Sequence, residues 1–289
     1  MNYRHIYHAG NFADVFKHII VTRIVEYLKR KEKAFRVIDT HAGVGFYDLS
    51  SSEALKTGEW REGIGQFLSA PIPEDLKTLL YPWYNVIDEI NKHNKEVVLY
   101  PGSPILIRRL LRKQDRLTAI ELHREDYQTL ASNFAGDYQT KVIHLDGWLS
   151  LNSHLPPKEK RGLILIDPSF EKPDEFSRLI KWVVKAYRRF PGGIYALWYP
   201  VKHDKEINNF LYTLIQTKIP KILQLEMHIR KSSIPPTMNG SGMIVINPPY
   251  LLEEEIEKLT PLLVTRLGKN KNAQIIHKWI QEDIPKHSP

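Results

Sequence analysis

Short apolar runs, several closed by an acidic residue and most separated by helix-compatible chain, constrain this sequence more than any other feature. The runs lie at 35–38, 117–120, 142–145, 163–166, 194–198, 222–229 and 243–246. Between them, 105–112, 127–134, 176–190 and 204–216 carry apolar residues at helical spacing. Strands alternating with helices imply a largely parallel sheet, because a crossover helix returns the chain to begin each strand at the same edge. Seven strands are therefore expected, in an α/β fold. The last two runs are joined by Pro- and Gly-bearing chain, so that pair is expected to be antiparallel. Upstream, 13–30 sets Phe16, Ile19, Ile20, Ile24, Tyr27 and Leu28 at helical spacing, which predicts an amphipathic helix with one packed face.

The first run ends at Asp39 and passes into Thr40-His41-Ala42-Gly43-Val44-Gly45. A strand followed by a glycine turn marks a nucleotide-type site. Asp48 stands where a dinucleotide fingerprint would have its third glycine, which argues against nicotinamide or flavin. The D-x-x-x-G-x-G pattern suits an S-adenosylmethionine enzyme, which has no pyrophosphate to cradle. The acid that accepts ribose hydroxyls is expected roughly 20 residues beyond the turn, at the end of the next strand. Glu121 is that acid, and the chain from Gly45 to it is several times longer. An insertion at about 50–100 accounts for the excess. Its breakers Pro71, Pro73 and Pro82 and its apolar set Trp83, Val86, Ile87 and Ile90 predict a helical subdomain, with Tyr81, Trp83 and Tyr84 holding a small core.

Asp146-Gly147 closes the third strand, where a carboxylate can accept an adenine amine; the alternative use of Glu121 and Asp146 is to cap the helices that follow. The fourth strand, 162–166, delivers Asp167-Pro168-Ser169-Phe170 to the carboxyl edge of the sheet. This matches the [DN]-P-P-[YF] signature of amino-methyltransferases at three of four positions. The residue types suit the chemistry, since an exocyclic amine is a poor nucleophile while its lone pair is delocalised into the ring. Asp167 and the Pro168 carbonyl can accept the two amine hydrogens, and Phe170 can stack on an extruded base. Asn247-Pro248-Pro249-Tyr250 fits the signature better by letters but ends the seventh strand, away from the switch point where such sheets bind ligands. It is read as a strand-terminating turn.

Several classes are excluded. The 289 residues contain no cysteine, which removes disulfide scaffolds, thiol catalysis, iron–sulfur clusters and the zinc nucleobase deaminases. No phosphate-binding loop of the G-x-x-x-x-G-K-[ST] type and no H-E-x-x-H metal motif occurs, and no metal is expected at His5, His8 or His18. No apolar run reaches the roughly 18 residues of a membrane span, and Asp14 interrupts any leader, so a cytoplasmic chain is expected. The net charge of +8 favours a polyanionic partner.

Taken together, Tyr3-Arg4-His5, His8-Ala9-Gly10-Asn11, Ala13-Asp14-Val15, Lys17-His18, the 39–43 turn, Pro101-Gly102-Ser103-Pro104, Glu121-Leu122-His123, Asp146-Gly147, 161–168, 196–200 and 241–249 resemble the bacterial 23S rRNA adenine-N6 methyltransferases of the RlmJ family. The resemblance spans nearly the whole chain. It implies a Rossmann-like, S-adenosylmethionine-dependent methyltransferase of one domain, 1–289, with a seven-stranded, mostly parallel sheet and an inserted helical subdomain. It further implies cofactor contacts by His18, His41, Gly43, Ser103, Glu121, Asp146, Gly147 and Asp167, and an RNA contact by Tyr3. The implied substrate is 23S rRNA in a protein-free or early assembly form, with no obligate protein partner. The family pattern is D-P-P-Y, so Ser169 and Phe170 depart from it. Phe keeps the stacking face, whereas Ser frees a φ angle that Pro would fix, and a less preorganised loop with reduced activity is expected. Two other readings stay open: a non-catalytic nucleic-acid-binding protein linked to the use of external DNA, and a DNA adenine methyltransferase.

Overall fold

In the computed structural model, which describes residues 4–94, 96–231 and 237–282, the chain enters α1 (Phe12–Lys29) through Asn11, whose side chain accepts hydrogen bonds from the backbone of Ala13 and Asp14. There follow β1 (Arg36–Asp39), β2 (Phe46–Asp48), α2 (Ser52–Thr57), α3 (Glu74–Asn91), β3 (Leu99–Pro101), α4 (Ser103–Leu110), β4 (Arg116–Glu121), α5 (Arg124–Asn133) and β5 (Thr140–His144). The second half runs α6 (Gly147–Ser153), β6 (Gly162–Ile166), α7 (Glu175–Arg189), β7 (Ile194–Val201), α8 (Asp204–Gln216), β8 (Ile222–His228), β9 (Gly240–Ile246), α9 (Leu252–Leu267) and β10 (Gln274–Gln281).

The main sheet has the order β10-β8-β9-β7-β6-β1-β4-β5. β5, β4, β1, β6 and β7 are parallel, and β9 is antiparallel to both β7 and β8. The expected antiparallel pairing of the last two apolar runs is therefore present. The expected count of seven strands is corrected to eight. β10 pairs antiparallel with β8 at the sheet edge, and its residues Gln274–Gln281 are only half-buried or exposed, so no continuous apolar run announces it.

A second correction concerns α1. Its residues from Ala13 to Val25 are all buried, Asp14, Lys17, Thr22 and Arg23 included. It lies between the sheet and α3, α4 and α9, so it is covered on several sides instead of one. The segment between β2 and β3, which pair with each other as a two-stranded sheet, contains α2, a π-type turn at Arg61–Gly65 and α3. Its Ile64, Phe67, Leu80, Trp83 and Ile87 are buried in the same cluster as Phe16, Ile20 and Ile24 of α1. Of its three aromatics, Trp83 is fully buried and Tyr84 packs against the core, whereas Tyr81 is 61% exposed and takes no part in it. The opposite face of the sheet is covered by α6, α7 and α8, with Ile38, Ile164, Leu197 and Ile244 beneath them.

β1 sits at the centre, with the second strand of the parallel set, β4, on one side and the fourth, β6, on the other. The chain thus reverses direction across the sheet at the β1–β6 boundary, where the carboxyl ends of the strands open into a crevice. Among the described residues no helix is long and apolar enough to cross a membrane.

Candidate active site

Four strand ends bring four carboxylates to that crevice. Asp39, fully buried at the end of β1, accepts a hydrogen bond from Ser103 Oγ at 2.6 Å through Oδ2. Burial pushes this carboxyl up to about 7 against the opposing effect of the Ser103 bond. Glu121, at the end of β4, accepts the backbone N–H of Gly43 (2.9 Å) on one oxygen and that of His123 (2.7 Å) on the other. Burial raises its pKa despite those bonds. Asp146 caps α6 by accepting from the backbone of Trp148 and Leu149, and its Oδ2 lies 3.4 Å from Arg178. The capping use of Asp146 is therefore real, and the same carboxylate also lines the crevice.

The glycines in this wall are required by space. Gly43 has φ +63°, and a Cβ there would lie 2.2 Å from the Tyr47 hydroxyl. A Cβ on Gly147 would lie 2.1 Å from the Thr40 carbonyl oxygen and 3.1 Å from the His41 ring. Between them, Thr40 Oγ1 donates to the Leu165 carbonyl at 2.9 Å and stitches the turn to β6. His41 meets Trp148 edge-on at 5.3 Å, and burial lowers its pKa to about 4, so the imidazole is neutral at neutral pH.

Asp167 leaves β6 at the junction of two clefts. The first is walled by His41, Gly43, Glu121, Asp146 and Gly147. The second holds Phe12, Phe170 and Trp198 together with the cations Lys202 and Arg230. Asp167, Ser169 and Lys17 belong to both walls. Phe170 has φ +51° and is held edge-on against Phe176 (4.9 Å) and Trp198 (5.7 Å). The strained backbone lies in the loop after β6, where the surrounding aromatic packing sustains it.

Asp167 Oδ2 accepts a hydrogen bond from Lys17 Nζ at 2.6 Å. Lys17 also donates to Asp14 Oδ1 at 2.8 Å, and Asp14 Oδ2 pairs with His5 Nε2 at 2.8 Å and with the backbone N–H of Gly10 at 3.0 Å. Burial disfavours the Lys17 charge, but the two carboxylates outweigh it and raise its pKa. Burial likewise opposes the Asp14 charge, and His5 and Lys17 reverse that and hold it well below the usual carboxylate range. Sequence reading gave Asp14 and Lys17 no part in a site. Their signal is charge inside an apolar helix: Lys17 finds Asp167 150 residues away, and Asp14 pairs with Lys17 and His5.

The remaining expected residues divide as follows. His41, Gly43, Ser103, Glu121, Asp146, Gly147, Asp167 and Pro168 line the first cleft. His18 is buried and does not line it; it is stacked on Tyr100 at 5.4 Å, with Nδ1 hydrogen-bonded to the Tyr100 hydroxyl and Nε2 without a partner among the described residues. Burial lowers its pKa to about 3. Tyr3 lies outside the described residues. Asn247 donates to the carbonyls of Pro191 and Gly193 at 2.8 and 2.7 Å. Because β9 is antiparallel to β7, with Ile246 opposite Tyr195 and Gly240 opposite Val201, Asn247 stands at the edge of the sheet opposite to Asp167.

The profile of the family described as "Ribosomal RNA large subunit methyltransferase D, RlmJ" matches residues 32–281. The chain is 42% identical over 281 residues to "Ribosomal RNA large subunit methyltransferase J" of Haemophilus influenzae, covering 97% of this chain and 99% of that protein. It is 42% identical over 280 residues to the protein of the same name from Escherichia coli, with 97% and 99% covered. A crystal structure of a Legionella pneumophila protein superposes with a TM-score of 0.84 at 36% identity, over 94% of this chain and 98% of that one. With the acid-lined crevice at the β1–β6 switch point, these likenesses place the chain in the RlmJ family of ribosomal RNA large subunit methyltransferases.

Proposed function

We propose that this methyltransferase uses S-adenosylmethionine to methylate N6 of one adenine in 23S rRNA, with the base turned out of its stack into the aromatic cleft. The observation that carries the reading is the meeting of the two clefts at Asp167 and Ser169, one acid-lined and one aromatic.

The first cleft fits the cofactor. Glu121 accepts backbone N–H groups on both oxygens and keeps lone-pair capacity for ribose hydroxyls. Gly43 and Gly147 leave open the space that any Cβ would fill. Among the described residues Asp146 Oδ2 has the long contact to Arg178 alone, and it remains an acceptor for an adenine amine. His41, Ser103 and Asp167 complete the set, and His18 belongs with them because its buried Nε2 has no partner among the described residues. When bound, S-adenosylmethionine supplies an electrophilic methyl on a positively charged sulfur.

The loop after β6 acts on the other reactant. Asp167 Oδ1 and the Pro168 carbonyl accept the two amine hydrogens and draw the nitrogen lone pair out of ring conjugation. The Lys17 ammonium clamps Oδ2, so the carboxylate keeps one orientation. Phe170 stacks on the base. Once N6 carries the methyl and a positive charge, its proton passes to Asp167 Oδ1. Tyr3 contacts the RNA, and residues of about 50–100 form an insertion within one methyltransferase domain. The RNA is taken protein-free or early in assembly, in the cytoplasm and without an obligate protein partner.

Transfer of labelled methyl to protein-free 23S rRNA tests this, with matched DNA and Asp167→Ala alongside. The expected result is label recovered as N6-methyladenosine from rRNA alone, reduced to background by Asp167→Ala. Label in DNA only, at another atom, or undiminished in the variant overturns it.

A further inference from the structure

Where the last strands are added, the sheet runs past the helices that cover it. Leu223, Leu225 and Met227 of β8 enter the core on the α1 side. The alternate residues Gln224, Glu226 and His228 face the other way, beside α8. They pair across the ladder with Lys278, Ile276 and Gln274 of β10. The result is a trough with a mostly polar floor of sheet and one wall made by α8.

Two acids line the trough, Asp204 at the start of α8 and Glu226 on the floor, against the four cations Arg230, Lys231, Lys271 and Lys278. Glu226 is fully engaged, one oxygen by the Tyr199 hydroxyl at 2.6 Å and the other by His228 at 2.9 Å. Lys231, Lys271 and Lys278 are exposed, and no described carboxylate pairs with them. Arg230 is braced by Asn239, Thr237 and the Met238 carbonyl. It lines both the trough and the aromatic cleft, so the two adjoin at this side chain.

We propose that this trough holds the phosphate backbone of the RNA strand flanking the target adenine. A protein partner would need an apolar centre to bury, which a floor of Gln224, Glu226, His228 and Lys278 does not offer. Unpaired cations over a polar floor suit phosphates, which fix register without reading sequence. The identity of the nucleic acid rests on the function proposed above; the trough's affinity for it does not.

The test compares two charge reversals of equal size. One is Lys231→Glu, Lys271→Glu and Lys278→Glu together. The other is Lys31→Glu, Lys113→Glu and Lys158→Glu, three exposed residues near the starts of β1, β4 and β6 at the opposite edge. Filter binding of protein-free 23S rRNA is measured across a salt series, with methyl transfer and S-adenosylmethionine binding in parallel. The trough variant is expected to bind RNA about ten-fold or more weakly, and to lose about 2–3 from the slope of log K against log salt. Its KM for RNA rises while kcat and cofactor affinity stay within about two-fold. The opposite-edge variant stays near wild type. Equal losses in both variants, or none in the trough variant, overturn the proposal. If wild-type protein transfers no methyl but the trough variant alone weakens binding, the functional reading falls and the trough stands. If transfer is intact and the trough variant binds as wild type does, the reverse holds.

Discussion

Asp39 shows how one buried carboxyl ties the site to stability. Its ordinary pKa of 3.8 rises to about 7 in the folded chain, burial being the dominant cause. A carboxyl raised on folding binds its proton more tightly in the native state than in the unfolded one. Its stabilising contribution is therefore full below pH 3.8 and is lost as the pH climbs to about 7, a swing of about 4 kcal/mol. Asp39→Asn keeps an acceptor for Ser103 and removes the titration. Relative to wild type, the variant is expected to gain about 2–3 kcal/mol between pH 5 and pH 8 in urea unfolding. An unchanged difference between the two proteins at both pH values would refute the assignment. Ser169 gives a second test at this scale. It precedes Phe170, whose left-handed backbone is held by Phe176 and Trp198. Ser169→Pro fixes the φ angle of that position and is expected to raise kcat several-fold with little change in cofactor affinity. A lower or unchanged kcat would mean that the packing of Phe170 already orders the loop.

At the scale of elements, α1 is the part the sequence conveyed least completely. Its helical spacing was plain, as were the parallel strands with their acidic ends, because period and strand-end chemistry are local signals. Lys17 and Arg23 drop out of such a reading, since each is explained only by a partner from a distant element, and Asp14 drops out with them because it pairs with that same Lys17. The same holds for β10, where Gln274 to Gln281 mixes polar and apolar residues because the edge strand is half-covered. The short pairing of β2 with β3, three residues on each side, is likewise fixed by the fold around it. Arg23 makes this measurable. It grips Glu255 of α9 through Nε and Nη2, at 2.8 and 2.9 Å, and donates Nη1 to the Leu79 carbonyl of α3 at 3.0 Å. One side chain thus joins three helices in a nearly buried pair. Arg23→Leu is expected to destabilise the fold by about 3–5 kcal/mol, leaving Glu255 charged without a partner. Adding Glu255→Leu should recover a substantial part of that loss, and a double-mutant cycle measures it. Additive losses would show that the pair is not coupled.

For the molecule as a whole, the question is whether the segment between β2 and β3 folds on its own account or only with the sheet. Its Phe67, Trp83 and Ile87 share one buried cluster with α1, α4 and the central strands, and Arg266 of α9 donates to the carbonyls of Phe67 and Pro71 at 2.5 Å. Gly63 also reaches the chain before α1, where any Cβ on it would lie 2.1 Å from the Gly10 carbonyl oxygen. A helical segment with so much of its apolar surface committed elsewhere has little left to stabilise it alone. Native-state hydrogen exchange is therefore expected to give the most protected amides of α3 the same opening free energy as those of β1 and β6. Saturation with S-adenosylmethionine at about 100 times its Kd should raise all of them together by about 2.7 kcal/mol, although α3 does not line the cofactor cleft. If the amides of α3 open at a lower free energy and ignore the ligand, the segment is a separately stable subdomain. The hydrogen bonds and core contacts that join it to α1 and α9 would then be docking contacts between two folding units.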